Sequence, residues 1–258
     1  MKICSRFCFY FCCLTYALNS TALGQPVLLY DQDFENPAAF VNDGGDVNIF
    51  NSVNELYGGQ PPGFTFAQAN TVETLFINGS QAFGTGYSDP SGIGGDYALG
   101  LLSDFQNDLL GLSFDIGDND FLVVQADISS IDLSVFGGPF VSPDDVPIFE
   151  YSLFDNPSGI SGLDGNGVLL DTAVVAGTAS PQDTFDWTAI QVALDGASAT
   201  NGNVTLRIDL LQGGYGALDN FRIFASETPS VPEPGSSFLV AVGGMLILVR
   251  RQSRNTRK

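Results

Sequence analysis

Apolar and polar side chains alternate with a period of two in short runs along this chain. Residues 203–211 (NVTLRIDLL) set Val204, Leu206, Ile208 and Leu210 on one face and Thr205, Arg207 and Asp209 on the other. Residues 121–128 (FLVVQADI) repeat the pattern more weakly, with Leu122, Val124, Ala126 and Ile128 together. Further runs of strand length lie at 28–34, 73–78, 110–116, 130–136, 147–154, 184–194 and 217–224, separated by turn-forming Gly, Asn and Asp. No segment between Gln25 and Glu227 has helical periodicity, and the absence of an internal repeat argues against a propeller or solenoid. Roughly ten strands in about 200 residues predict an all-β domain, an antiparallel β-sandwich of the jelly-roll kind, over residues 25–228.

The longest stretch of turn chemistry is 79–96 (GSQAFGTGYSDPSGIGGD), which is either functional or tolerated. Its aromatics, Phe83 and Tyr87, are candidates for a binding rim. Trp187, the one tryptophan, falls in a strand candidate and is expected in the core.

Both ends break the β pattern. Lys2 and Arg6 precede the apolar run Phe7 to Leu18, too short to span a bilayer and followed by small residues. Residues 1–24 therefore read as a secretory signal peptide, cut after Gly24 or a few residues earlier. At the other end, residues 229–258 hold three features in order. Val231-Pro232-Glu233-Pro234 comes first, then the apolar stretch Phe238 to Val249, then the basic stop Arg250, Arg251 and Arg254. The two prolines keep the segment around Glu233 extended, as a processing enzyme needs. The apolar stretch is shorter than the roughly 20 residues of a full span.

Charge sharpens the contrast. Of 29 acidic residues all but Glu233 lie between Gln25 and Glu227, against Arg207 and Arg222 alone, so the central domain carries 28 acids and 2 bases, a formal −26. Such a domain repels nucleic acid and anionic lipid and attracts divalent cations. All four cysteines (Cys4, Cys8, Cys12, Cys13) fall in the first thirteen residues, leaving the domain without disulfides or thiolate metal sites. With no histidine, the chain has no Ser-His-Asp or Cys-His catalysis and no histidine zinc site.

The ordered tail, together with the leader, resembles the PEP-CTERM sorting signal, the substrate tag of exosortase-type processing enzymes. That resemblance implies an exosortase partner, transient inner-membrane anchoring through the C-terminal hydrophobic helix, removal of the tail, and delivery to the cell surface or extracellular matrix. A plain tail anchor is the competing reading.

Two acidic segments at the domain's ends form a second constellation. Near the start is Asp31-Gln32-Asp33-Phe34-Glu35, where Asp33 and Glu35 share a face by period-two counting; near the end is Ala217-Leu218-Asp219-Asn220-Phe221, where Asp219 shares one with Phe221 and Ile223. A carboxylate at the entrance of a buried face needs a partner or a cation. The pairing resembles the galactose-binding-like jelly rolls of many carbohydrate-binding modules, in which the two terminal strands hold a structural calcium. The resemblance implies Ca²⁺ at Glu35 and Asp219, with Asp33 and Asn220 as nearby alternatives; oxygen ligands suit that ion. Solvated carboxylates at strand ends are the plainer reading. No Asp-rich loop completes an EF-hand, since Asp164-Gly165-Asn166-Gly167 has no Glu at the required distance.

The expected function is a non-catalytic surface or matrix protein associated with polysaccharide. A glycan-cleaving enzyme using a carboxylate pair is the alternative, although glutamates are scarce in the domain and none sits in a recognisable motif. A purely structural adhesin is the third.

Overall fold

The computed structural model describes residues 25–42, 46–49, 51–61, 65–66, 72–79, 87–103, 106–132, 146–159, 163 and 167–230. Residues 1–24, where the leader is expected, and residues 231–258, with Val231 to Pro234 and the basic residues Arg250, Arg251 and Arg254, lie outside the described residues, as does Phe83.

Among the described residues twelve strands form two antiparallel sheets. Sheet A runs β10 (Thr188–Asp195), β7 (Phe121–Ser130), β12 (Tyr215–Ser226), β5 (Tyr97–Leu102), β4 (Glu73–Phe76), β2 (Val47–Asn48). β1 (Val27–Gln32) also pairs with β12, whose first half pairs with β5 instead. Sheet B runs β3 (Thr65–Phe66), β6 (Leu109–Asp115), β11 (Asn203–Gln212), β8 (Ile148–Asp155), β9 (Val168–Ala176). The sheets face each other across one apolar core. Leu122, Val124, Ala126 and Ile128 of β7 and Phe221 and Ile223 of β12 meet Leu110 and Leu112 of β6, Phe149, Tyr151 and Leu153 of β8, and Leu206 and Ile208 of β11. This is the expected β-sandwich, with the alternation of 121–128 and 203–211 intact. Both apolar clusters are built from residues 29–225, so segment 25–230 carries every described strand and its packing partners.

A second apolar layer covers the outer face of sheet A. Val47, Leu75, Ile77, Ala98, Leu102, Tyr215 and Ala217 there meet Tyr87 and Phe185, with Trp187 stacked on Phe185 at 5.2 Å and 4°. β5 is thus covered on both faces, which is why YALGLL lacks alternation and escapes the period-two search. Gly100 in its middle makes room for the Tyr215 ring, since a Cβ there would lie 2.8 Å from Tyr215 Cε2.

Several expectations need correction. Of the expected strand 130–136, Ser130 closes β7 and Ile131 and Asp132 leave the ladder, while 133–136 lie outside the described residues. β9 and the two-residue β2 and β3 were not foreseen, nor was the single helical turn α1 (Val53–Leu56), whose Val53 and Leu56 fill the main core. Trp187 precedes β10 and packs in the second layer. Tyr87 is buried against Phe185 at 5.6 Å, so it offers no binding rim.

The described part of the glycine-rich loop is organised by one carboxylate. Asp89 accepts from the Ser91 hydroxyl (2.6 Å) and from the N–H groups of Ser91 (3.1 Å), Gly92 (3.1 Å) and Gly94 (2.8 Å). A Cβ at Gly94 would lie 2.4 Å from Trp187 Cζ2, so glycine is required for the loop to lie flat on the indole.

Candidate functional site

Two surfaces carry chemistry. The first, on the outer face of sheet A, gathers the acids of the two terminal segments. β1 stops at Gln32, and Phe34, at φ 54°, turns its ring into the main core against Tyr57. Asp33 and Glu35 therefore do not share a strand face. Glu35 swings outward, where its carboxylate accepts the Asp96 N–H at 2.9 and 3.1 Å, and Gly95 passes so close that a Cβ would lie 2.1 Å from Oε1. Asp33 is exposed and accepts the Glu35 N–H at 3.2 Å.

Asp219 is moved by a bulge. Between Asp219 and Arg222, β12 has one residue more than β7, and the extra Asn220 sits at φ 48°. The bulge reverses the alternation, so Phe221 and Ile223 face the main core while Asp219 faces outward beside Asp127, its partner on β7. Loop segments close over it, leaving Asp219 1% exposed. Its Oδ1 accepts the Asn220 N–H at 2.6 Å, and its Oδ2 is buried without a partner. Burial pushes its carboxyl up to about 9; the Asn220 N–H opposes this, and Glu35, Asp127 and Asp33 add to it. The Asn220 amide donates to Asp127 Oδ2 and to the Ile93 carbonyl, both at 3.0 Å.

The structure thus brings the sequence-predicted Glu35 and Asp219 into one electrostatic neighbourhood, with Asp127 as an addition. Asp127 can be found from sequence only once the β7–β12 register is known. Among the described residues no group of three or more acidic side chains has metal-binding spacing. The buried, unpartnered Oδ2 of Asp219 is the one feature here whose chemistry would suit a cation.

The second surface is the outer face of sheet B, where the β6–β11–β8–β9 register sets three rows. Ser113, Thr205, Phe154 and Leu169 form one; Gly111, Arg207, Ser152 and Thr172 the next; Leu109, Asp209, Glu150 and Val174 the third. Arg207, central in this grid, lies over the Phe154 ring at 5.0 Å and pairs with Glu150 Oε1 at 3.6 Å. Its Nε is buried without a partner. The Asn156 amide donates to Thr205 Oγ1 (3.0 Å) and Ser113 Oγ (3.3 Å), and the Ser152 hydroxyl donates to Glu150 at 3.0 Å. Leu163 sits on Gly111, where a Cβ would lie 1.8 Å from its Cδ2. Burial raises the Asp209 carboxyl, opposed by Asn107 and Arg207 and assisted by Glu150.

Beside the grid a cavity of about 380 Å³ opens, lined by Leu29, Pro61, Ser113, Phe114, Asn156 and Asn203 among others. The sequence held one signal for this face. Arg207 is one of two bases among 28 acids, on the polar side of the cleanest alternating strand. Phe154 gave none.

No family model matches the sequence, and no curated protein matches it. The solved structures similar to the chain include carbohydrate-binding modules. A xylan-binding domain from Paenibacillus barcinonensis is 10% identical, with 80% of this chain and 99% of that one covered and a TM-score of 0.39. A carbohydrate-binding module in complex with β-1,4-galactotriose is 12% identical, covering 65% and 92%, with a TM-score of 0.35. A cleaved adhesin domain of Lys-gingipain from Porphyromonas gingivalis is 13% identical, covering 76% and 98%, with a TM-score of 0.33.

Proposed function

We propose that this is an exported, non-catalytic, glycan-associated protein of the cell surface or extracellular matrix. An exosortase-type enzyme processes it at Val231 to Pro234, and its sandwich holds polysaccharide on the outer face of sheet B. The observation that carries the reading is the grid around Arg207. An aromatic ring, a guanidinium and two carboxylates, all partly exposed, share one sheet face, held in place by the buried Ser152, Thr205 and Asn156 beneath them. Sugar rings need this combination, an apolar face to lie against and a dense set of donors and acceptors for their hydroxyls. The domain's −26 charge, with Arg207 already paired to Glu150, favours a neutral polymer.

A panel of neutral and acidic polysaccharides tested against segment 25–230 decides the matter. Binding to a neutral glycan, weakened about tenfold (about 1.4 kcal/mol) in Phe154→Ala and Arg207→Ala with unchanged melting, is the expected result. No binding to any polymer by the folded domain would leave the structural adhesin in its place.

One observation favours a second reading. Asp209 and Glu150 are direct cross-strand partners on this face, Asp209 raised by burial and Glu150 beside a guanidinium. Neighbouring carboxyls, one of them raised by burial, are the kind of pair glycan hydrolysis employs. Release of reducing ends that Glu150→Gln abolishes would make the protein an enzyme.

Calcium belongs to the same proposal as a structural ion held by Glu35 and Asp219, tying the turn after β1 to β12. At 100-fold over its dissociation constant such an ion adds about 2.7 kcal/mol, several degrees of melting temperature. Melting is expected to fall in chelator, and Asp219→Asn to erase the difference while raising the chelator value, because it removes a buried carboxylate. Equal melting of the parent domain in chelator and in added Ca²⁺ would rule the ion out.

A further inference from the structure

Among the described residues β9 closes sheet B and pairs with β8 alone. An end strand leaves a row of backbone N–H and C=O groups open to another strand, and proteins blunt such edges with lysine, proline, charge or brevity. The opposite end of sheet B is the two-residue β3; sheet A ends at the two-residue β2 and at the eight-residue β10, which carries no exposed large apolar side chain. β9 is nine residues long (VLLDTAVVA), with no lysine or proline. Its one charge is engaged, since Asp171 accepts the Thr172 N–H and the Asp195 N–H, both at 2.8 Å. Val168, Leu169 and Val174 are 68%, 52% and 56% exposed, three of eight large apolar side chains exposed among the described residues. Exposed apolar surface is therefore concentrated on the longest weakly blunted edge of sheet B.

We propose that this edge joins two copies of the chain, β9 pairing antiparallel with β9 across a two-fold axis. The occupant follows from charge and symmetry. A cationic partner has 28 carboxylates to choose from, and none of them directs it to a strand whose single charge is engaged. A like-charged copy is repelled least along this strand, which carries one acid in nine residues. An antiparallel edge is complementary to itself, because the two-fold returns each N–H to a C=O. Joining two five-stranded sheets makes one of ten strands, with two Arg207 grids on a continuous face. A polymer crossing both is held with the avidity of linked sites. Repulsion between domains at −26 opposes the pairing, and salt relieves it.

Sedimentation of segment 25–230 tests this, and its lack of cysteine allows single cysteines to report the interface. Dimerisation is expected to strengthen at least tenfold between about 10 mM and about 0.5 M NaCl, as the screening length contracts. Val174→Lys is expected to weaken it at least tenfold at high salt with circular dichroism and melting unchanged. Thr172→Cys or Val174→Cys is expected to oxidise to a covalent dimer, whereas Gln191→Cys on β10 stays monomeric. A folded monomer at the highest soluble concentration in high salt overturns the proposal. So does a dimer that Val174→Lys leaves intact, or cross-linking through Gln191→Cys alone.

Discussion

Asp89→Ala is expected to destabilise the domain by about 2–3 kcal/mol at neutral pH, read from urea unfolding. The carboxylate accepts four hydrogen bonds from Ser91, Gly92 and Gly94; stranding the buried Gly94 N–H costs about 1–3 kcal/mol, and losing the three partly exposed bonds adds less each. The loop would lift from Trp187 and uncover the second apolar layer. Burial by itself would raise this carboxyl; the Ser91 hydroxyl, the Gly94 N–H and the Trp187 indole outweigh it, and the result lies below the usual carboxylate range. A depressed acid contributes stability above its unfolded value near 4, and that contribution is lost as pH falls through the lower folded value. The gap between parent and Asp89→Ala should therefore be full at pH 7 and should narrow in strong acid. A gap that is constant with pH would show that Asp89 acts by shape alone.

Asp108→Asn is expected to do the opposite. Asp108 is fully buried between β5 and β6, accepting the Leu102 N–H at 2.9 Å and the Gln106 amide at 3.1 Å. Burial pushes its carboxyl up to about 7; the Leu102 N–H and the Gln106 amide oppose this, and Glu73 adds to it. Glu73 itself accepts from the buried Tyr215 hydroxyl. An acid whose folded value is raised binds its proton more tightly when folded. Its contribution is whole below the unfolded value near 4 and is lost as pH rises through about 7. At pH 8 the parent thus carries a penalty on the order of 4 kcal/mol that asparagine removes, less one hydrogen bond that a single amide oxygen cannot keep. The substitution should stabilise the domain by about 1–3 kcal/mol at pH 8 and change little at pH 4. Equal effects at the two pH values would contradict a buried, proton-holding Asp108.

Most strands were legible because one face of each is buried and the other is not. The run 203–211 became β11 and 121–128 became β7 with every core-facing residue as expected. β5 was hidden by the second layer, which removes alternation by covering both faces. β9 was hidden for the reverse reason, as an edge whose apolar residues point both inward and outward. In the candidate site, Glu35 and Asp219 were visible as acids at the two ends of the domain, but period-two counting put Asp219 on the core face and carried the first strand on to Glu35, past its end at Gln32. Local backbone caused each error, Phe34 at φ 54° and Asn220 at φ 48°. Alternation cannot foresee a single residue in the left-handed region, and one is enough to reverse everything after it. The Arg207–Phe154 contact joins strands some fifty residues apart in the chain, which no local pattern encodes.

Composition and alternation by themselves determined that this is an acidic, cysteine-free, histidine-free β-domain with paired apolar faces, because burial and charge depend on residue type alone. Strand pairing decided the rest. Register put Arg207 between Phe154 and Glu150, the β12 bulge turned Asp219 outward beside Asp127, and the loop closing over it left its Oδ2 buried without a partner. Those are relations between distant residues, and only the folded backbone brings them within a few ångströms.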